Sequence, residues 1–244
     1  MHGGEPRLSV RIRDKSFGAA SGARTVLRDV AFDAGPGEIL ALFGPSGTGK
    51  TTALRIVLGL DQDFEGSVRR PSGRTGAVFQ DPLLLPWMTV AENIRLVALP
   101  GGPAPDVDAL LDEVGLPGAG RLLPREISLG MARRVALARA FGAFPSLLVL
   151  DEPFASLDAR LGAQLARVVA QKAHRDGTGV LLTTHDLGQA MAIATRLLVL
   201  HGEPATLAAD HAVPRGEQAA ALLREDLRRR FPFLAHDTPG ESCP

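Results

Sequence analysis

Three residue types are scarce in this chain of 244 residues, which has one cysteine, three lysines and no tyrosine. The single cysteine, Cys243, excludes a disulfide framework and a cysteine metal site within the chain. The 27 basic and 27 acidic residues give a formal net charge of zero, whereas a dedicated nucleic-acid binder usually carries a basic excess. We therefore expect no nucleic-acid partner.

Long apolar segments are also missing. No uncharged apolar run approaches the roughly 18 residues that a membrane-spanning helix requires. The first residues lack the apolar core of a signal peptide. A soluble, intracellular protein is the expectation from these two absences.

Short apolar runs alternate with helical patterns along most of the chain. Strands are predicted at runs rich in Val, Leu, Ile, Ala and Phe, which lie at 26–32, 39–43, 77–79, 147–150, 180–183 and 197–200. Most of these runs are continuous, as is typical of strands buried on both faces of a parallel sheet. Helices are predicted over 50–60 and 161–175, and strands that alternate with helices indicate an α/β fold.

The middle of the chain has a different pattern. Strand patterns are absent from 81–140, and the apolar spacing at 106–115 predicts an amphipathic helix. We therefore expect a helical subdomain at about 81–140, inserted into the α/β core. The polar segment from His201 onward contains one further helical stretch, at 221–231.

Residues Gly44 to Thr51 read GPSGTGKT and match the phosphate-binding pattern G-x-x-x-x-G-K-[ST]. Glycines let such a loop curl with its N–H groups inward, and the following helix N-terminus adds to an anion site. Lys50 supplies charge for β- and γ-phosphates, and the Thr51 hydroxyl suits Mg²⁺. A plain glycine-rich turn leaves unexplained why one of three lysines stands here. A dinucleotide fingerprint is disfavoured because Thr52 occupies the third glycine position.

Two carboxylates, Asp151 and Glu152, end the predicted strand at 147–150. Charges at the end of a buried strand are costly unless they face a ligand. Asp151 is predicted to hold Mg²⁺, through water, and Glu152 to polarise an attacking water. An acid at a strand end is common by itself, but the phosphate-binding loop about 100 residues upstream favours the functional interpretation.

Two further residues are ambiguous when taken alone. His185 follows the predicted strand at 180–183, where ligand sites of α/β proteins lie, and it suits a γ-phosphate contact. It is equally well explained as an ordinary loop histidine. Ser128 is a good N-cap for an arginine-rich helix, and spacing alone indicates nothing more.

Taken together, residues 8–235 resemble the ATP-binding subunit of an ABC transporter. GPSGTGKTT matches the Walker A element, LLVLDEP matches Walker B, and ISLGM stands where the family signature belongs. Gln80 matches the Q-loop, residues 156–158 the D-loop, and His185 the switch histidine. Phe17 is placed like the aromatic residue that stacks on adenine.

The resemblance implies a fold. It is a P-loop NTPase (RecA-like) α/β core with a mostly parallel sheet, an inserted helical subdomain and an N-terminal antiparallel β region. Residues 1–236 are expected to form a single ATP-binding domain, and 237–244 a disordered tail.

The resemblance also implies residue roles, with ATP as the nucleotide and Mg²⁺ as the metal. Glu152 would be the catalytic base, His185 the γ-phosphate contact, and Gln80 the sensor of Mg²⁺ and the attacking water. Thr51, Gln80 and Asp151 would hold the metal. The nucleotide-binding set would comprise Phe17, Gly44, Pro45, Ser46, Gly47, Thr48, Gly49, Lys50, Thr51, Thr52, Ser128, Gly130 and Asp158.

The family works in assemblies. By resemblance, a second copy or a homologous ATPase subunit would complete two ATP sites, with Ser128 and the Gly130 N–H contacting the partner's γ-phosphate. Dimer closure would drive transmembrane permease subunits, served by an extracytoplasmic substrate-binding protein. The expected location is peripheral, on the cytoplasmic face of the inner membrane.

The sequence departs from the family pattern at the signature. Leu129 stands where the family usually has glycine, and Met131 where it has glutamine. A side chain at 129 hinders the close backbone approach that glycine permits, so we expect slower hydrolysis. The lack of tyrosine leaves Phe17 as the stacking ring.

The subfamily is indicated by VFQDPLLLPWMTVAENI, which resembles importers for nitrate, sulfonates and taurine. GMARR is instead similar to ATPases of lipid-trafficking systems, and that alternative remains open. Segment 83–88, with Trp87, would either meet the permease or form the core of the helical subdomain.

More distant classes of P-loop protein fit the sequence less well. Soluble ABC ATPases of DNA repair need a long coiled-coil insertion, and those of translation carry two ABC domains. A GTPase needs an N-K-x-D motif, which the three lysines exclude. A P-loop kinase would not need Ser128, Gly130 and a partner subunit.

Overall fold

The structure, a computed structural model, describes residues 8–18, 22–155 and 157–236. Ser156 of the predicted D-loop and the predicted tail 237–244 lie outside the described residues. Among the described residues, no helix is long and apolar enough to cross a membrane.

A six-stranded sheet forms the centre of the fold, in the order β5-β6-β7-β3-β8-β9. All its neighbouring strands run parallel except the edge pair β8 and β9. Its strands are β3 (Ile39–Phe43), β5 (Thr75–Val78), β6 (Leu147–Asp151), β7 (Gly179–Thr184), β8 (Arg196–His201) and β9 (Thr206–Ala212). Every residue of β3, β6 and β7 is buried, as their continuous apolar runs predict.

A second sheet covers one face of the first. It is antiparallel, in the order β2-β1-β4, with β1 at Leu8–Phe17, β2 at Arg24–Ala34 and β4 at Glu65–Arg69. Leu40 and Leu42 pack on this side, together with helix α1 (Lys50–Leu58). Ile39, Ala41 and Phe43 point to the other face, where most of the remaining helices pack. The alternation follows from the two-residue period of a strand.

Residues 79–146 connect β5 to β6, are all described, and contain no strand. Their helices are α2 (Val90–Arg95), α3 (Val107–Glu113) and α4 (Leu129–Gly142). The predicted helix at 106–115 is thus present, and Asp106 caps it by accepting a hydrogen bond from the Ala109 N–H. Ser128 caps α4 as predicted, accepting from the Met131 N–H at 3.2 Å.

Three α-helices follow β6, namely α5 (Ala159–Asp176), α6 (Leu187–Ile193) and α7 (Glu217–Arg230), and a short 3₁₀ helix lies at Pro232–His236. The prediction for 50–60 was too long, because Gly59 adopts a left-handed conformation with φ 77° and ends α1. β1, β4 and β9 were not predicted from apolar runs. Buried residues alternate with more exposed ones along much of β1, and most residues of β4 and β9 are exposed or half-buried, so none of the three shows a continuous apolar run.

Candidate active site

The loop between β3 and α1 is shaped by its glycines. Gly49 has φ +88°, and a Cβ on it would lie 2.8 Å from side-chain carbons of Leu27 and Val26. A Cβ on Gly44 would lie 2.5 Å from the Leu200 carbonyl oxygen. Both contacts are too short for real side chains, so the loop packs against its neighbours only because these residues lack one. The result is a curled backbone at the N-terminus of α1.

This curled loop has the chemistry of an anion site. The N-terminus of α1 has no side-chain cap and no acidic residue in its first turn, so its N–H groups remain available. Lys50 is buried, and its ammonium donates to the carbonyl oxygens of Gly44 at 2.7 Å and Pro45 at 2.8 Å. Burial lowers the pKa of Lys50, and the carboxylates of Glu152 and Asp151 oppose that shift.

Two oxygen ligands suited to Mg²⁺ meet beside this loop. The Thr51 hydroxyl donates to Oδ2 of Asp151 at 2.9 Å, and the Thr183 hydroxyl donates to Oδ1 at 2.5 Å. β3 and β6 flank β7, which brings the carboxyl ends of all three strands to one edge. The described residues contain no cluster of three His, Cys, Asp or Glu side chains. One hydroxyl and one carboxylate fit Mg²⁺, which usually completes its shell with phosphate oxygens and water.

Glu152 and His185 are brought together at the same edge. The Nδ1 atom of His185 lies 3.2 Å from Oε1 of Glu152. Glu152 has φ +46°, a conformation rare for a residue with a side chain. Its N–H donates to the Thr183 hydroxyl at 3.0 Å, which helps to hold this turn. Strain of this kind is concentrated at functional sites.

An open cavity of about 450 Å³ joins these groups. It is lined by Val26 and by ten residues of the predicted site: Phe17, Ser46, Gly47, Gly49, Lys50, Thr51, Thr52, Gln80, Glu152 and His185. Pro45 and Thr48 line an adjacent cavity together with Ser46 and Gly47. The Phe17 ring is 48% exposed, as an aromatic platform for a flat ligand must be.

Seven predicted residues are not part of this cavity's lining. Gly44, Pro45, Thr48 and Asp151 belong to the phosphate-binding loop and the end of β6 beside it, whereas the other three lie on different elements. Ser128 and Gly130 begin α4, and Asp158 caps α5 by accepting from the Leu161 N–H at 2.9 Å. Leu129 is 58% exposed at the first turn of α4. A Cβ on Gly130 would touch only Leu157 at 3.7 Å and the Ser128 hydroxyl at 4.0 Å. Within one chain, the signature residues therefore do not share a cavity with the phosphate-binding loop.

Sequence reasoning missed Thr183. Its hydroxyl contacts both Asp151 and the backbone of Glu152, so it positions both acids. The sequence signal for Thr183 was a hydroxyl residue in an otherwise apolar buried strand. A buried hydroxyl needs a hydrogen-bond partner, so its presence indicates a polar neighbour.

Comparison with known proteins then decides the family. The model of the family described as ABC transporter matches residues 27–155 of this chain. The chain belongs to the ABC transporter family. It is accordingly an ATP-binding protein and an ATPase, as the Walker elements predicted.

Relatives of this ABC transporter ATPase extend the match over most of the chain. Aliphatic sulfonates import ATP-binding protein SsuB 2 of Burkholderia cenocepacia is 41% identical over 235 residues, covering 91% of this chain and 86% of that protein. The protein of the same name from Pseudomonas syringae is 42% identical over 224 residues, covering 92% and 94%.

Solved structures confirm the fold of this ABC transporter ATPase. A dimeric ATP-binding cassette in a post-hydrolysis state, bound to ADP and Pi, superposes with a TM-score of 0.76 at 24% identity. The match covers 86% of this chain and 100% of that one. A dimeric bacterial ABC transporter cassette gives a TM-score of 0.77 at 24% identity. The predicted α/β core with a mostly parallel sheet and a separate antiparallel region is thus confirmed.

Proposed function

We propose that this ATPase powers a membrane importer for aliphatic sulfonates or similar small organic anions. The observation that carries the substrate class is the identity of 41–42% to sulfonate import ATP-binding proteins over nine-tenths of the chain. The segment VFQDPLLLPWMTVAENI supports the same subfamily.

Phosphate binding is assigned to the loop and to the start of α1. Backbone N–H groups of Ser46 to Thr52 surround the phosphate oxygens of ATP, and Lys50 exchanges its two carbonyl partners for them. Thr51, Asp151 and Gln80 would hold Mg²⁺, whose charge would offset the negative charge that develops on the phosphates. Phe17 offers its exposed face to adenine.

Hydrolysis is assigned to Glu152. Its carboxylate accepts a proton from water as the water oxygen bonds to the γ-phosphorus and the bond to the β-phosphate oxygen breaks. The products are ADP and inorganic phosphate. His185 orients Glu152 in the resting cavity, and Gln80 lines the same cavity beside them.

Each ATP site requires residues from a second subunit. Ser128, Gly130 and Asp158 lie away from their own chain's cavity, and the start of α4 is exposed. A second copy, or a homologous ATPase subunit, places its signature over the phosphates, and ATP draws the two subunits together. The N–H groups at the start of α4 then face the γ-phosphate.

The permease contact is assigned to segment 83–88 within the helical subdomain at 81–140. Trp87 is 73% exposed and Leu83 is also exposed, which argues against the alternative that this segment is core. The buried Asn93 side chain holds the segment by donating to carbonyl oxygens of Leu85 and Met88. An apolar patch on a rigid loop suits protein docking. Residues 1–236 act as one domain, peripheral at the cytoplasmic face of the membrane.

Uptake of a labelled alkanesulfonate tests this function. Cells that lack the chain should lose uptake, the parent chain should restore it, and Glu152→Gln should not. If uptake persists without the chain while the distribution of membrane lipids changes, the lipid-trafficking alternative replaces the importer.

A further inference from the structure

Lys15 is a buried lysine outside the phosphate-binding loop. It is 2% exposed, and it does not line the candidate active-site cavity. Its ammonium donates to Oδ1 of Asp61 at 2.9 Å and to the carbonyl oxygen of Asp63 at 2.6 Å. The same nitrogen lies over the Phe17 ring, 4.4 Å from the ring centroid.

The pairing of β1 with both of its neighbouring strands is irregular near Lys15. Leu8, Val10 and Ile12 are the buried residues of the strand, and then burial shifts to Lys15. The pairing with β4 slips between Ile12 and Asp14, and the pairing with β2 slips between Lys15 and Ser16. Lys15 and Phe17 stand two residues apart, so their side chains emerge on the same face of the strand.

The ammonium therefore occupies one face of Phe17, which leaves the other for a ligand. Phe17 lines the cavity that contains Lys50 and Glu152 and is half exposed there. The faces of two stacked aromatic rings both have negative electrostatic potential and therefore repel each other. A cation behind one ring reduces this repulsion. The ammonium also fixes the ring relative to the segment that follows α1, through Asp61 and Asp63.

Packing alone does not account for a charge at this position. A buried ion pair contributes little net stability, and an apolar side chain of similar volume fills the same space. What the ammonium adds is positive charge against the ring.

We propose that Lys15 is a positioning residue for adenine, which strengthens nucleotide binding through Phe17 without touching the nucleotide. This inference rests on the proposed role of Phe17. Lys15→Met, which keeps the length of the side chain, should raise the dissociation constant of Mg·ADP about three- to tenfold. Lys15→Arg should bind ADP like the parent, because it retains the charge.

Calorimetric titration with ADP and with pyrophosphate tests the proposal. Pyrophosphate has no base, so its dissociation constant should change less than about twofold in Lys15→Met. In a Phe17→Leu background, Lys15→Met should likewise change ADP binding less than about twofold. Unchanged ADP binding in Lys15→Met, an equal loss for pyrophosphate, or an undiminished loss in the Phe17→Leu background would each overturn it.

Two controls separate the possible failures. If Phe17→Leu binds ADP like the parent, the proposed adenine platform is wrong, and the inference fails with it. If Phe17→Leu weakens ADP binding and Lys15→Met does not, only the role of Lys15 fails. Should Lys15→Met not fold, the Lys15→Met/Asp61→Leu double variant removes both buried charges and takes its place.

Discussion

His185 and Glu152, which are 33 positions apart in the chain, lie 3.2 Å from each other through Nδ1 and Oε1. β6 and β7 are parallel neighbours, and each delivers one of the two residues just beyond its carboxyl end. The carboxylate is thereby held in the cavity that contains Lys50 and Thr51. Because neither residue belongs to the phosphate-binding loop, replacing one of them should change the rate of hydrolysis more than it changes nucleotide binding.

Replacing His185 with alanine should slow hydrolysis and leave nucleotide binding intact. Because Glu152 loses its orienting partner, the turnover number should fall about 10²-fold, while the dissociation constant of ATP stays within about threefold. Phosphate release and calorimetry measure the two quantities. His174→Ala, at an exposed position in α5, is the matched control and should behave like the parent. Equal turnover in the two variants would exclude a role for His185.

Replacing Thr51 with valine should weaken Mg²⁺ binding. The change removes the hydroxyl that meets Asp151 and preserves the shape of the side chain. The Mg²⁺ concentration for half-maximal ATPase activity should rise about tenfold or more. Thr206→Val, at an exposed position in β9, controls for the loss of a hydroxyl. An unchanged Mg²⁺ requirement would remove Thr51 from the metal site.

Replacing Leu129 with glycine should accelerate hydrolysis several-fold. Leu129 is exposed at the start of α4, and the proposed dimer would place its side chain between the signature backbone and a partner's phosphate. Glycine here costs up to about 1 kcal/mol of helix stability, so unfolding should be followed in parallel. Leu129→Ala should give an intermediate rate. If ATPase rate and ATP affinity are the same in all three proteins, Leu129 does not limit hydrolysis.

The central sheet and the loop at its edge could be predicted because their signals are local. The apolar runs of β3, β6 and β7 are continuous, since these strands are buried on both faces. The order of Walker A, Walker B and His185 then places their side chains at one sheet edge, because parallel strands share the direction of their carboxyl ends.

The remaining features depend on contacts between distant segments. β9 is an edge strand with polar residues, so no apolar run marks it. Lys15 and Phe17 meet in a stretch of β1 whose register depends on its pairing with β2 and β4. Thr183 resembles any strand threonine until Asp151 is placed beside it.

Glu152→Gln provides the most direct test of Glu152 as the base that drives ATP hydrolysis in a closed dimer. The amide keeps the shape of the side chain but accepts no proton, so ATPase activity should fall about 10²-fold or more. ATP should still bind, and light scattering should detect a dimer that forms with ATP and not with ADP. Glu65→Gln, at an exposed position in β4, should hydrolyse ATP like the parent. Hydrolysis by Glu152→Gln at the parent's rate, with no ATP-dependent dimer, would contradict the mechanism.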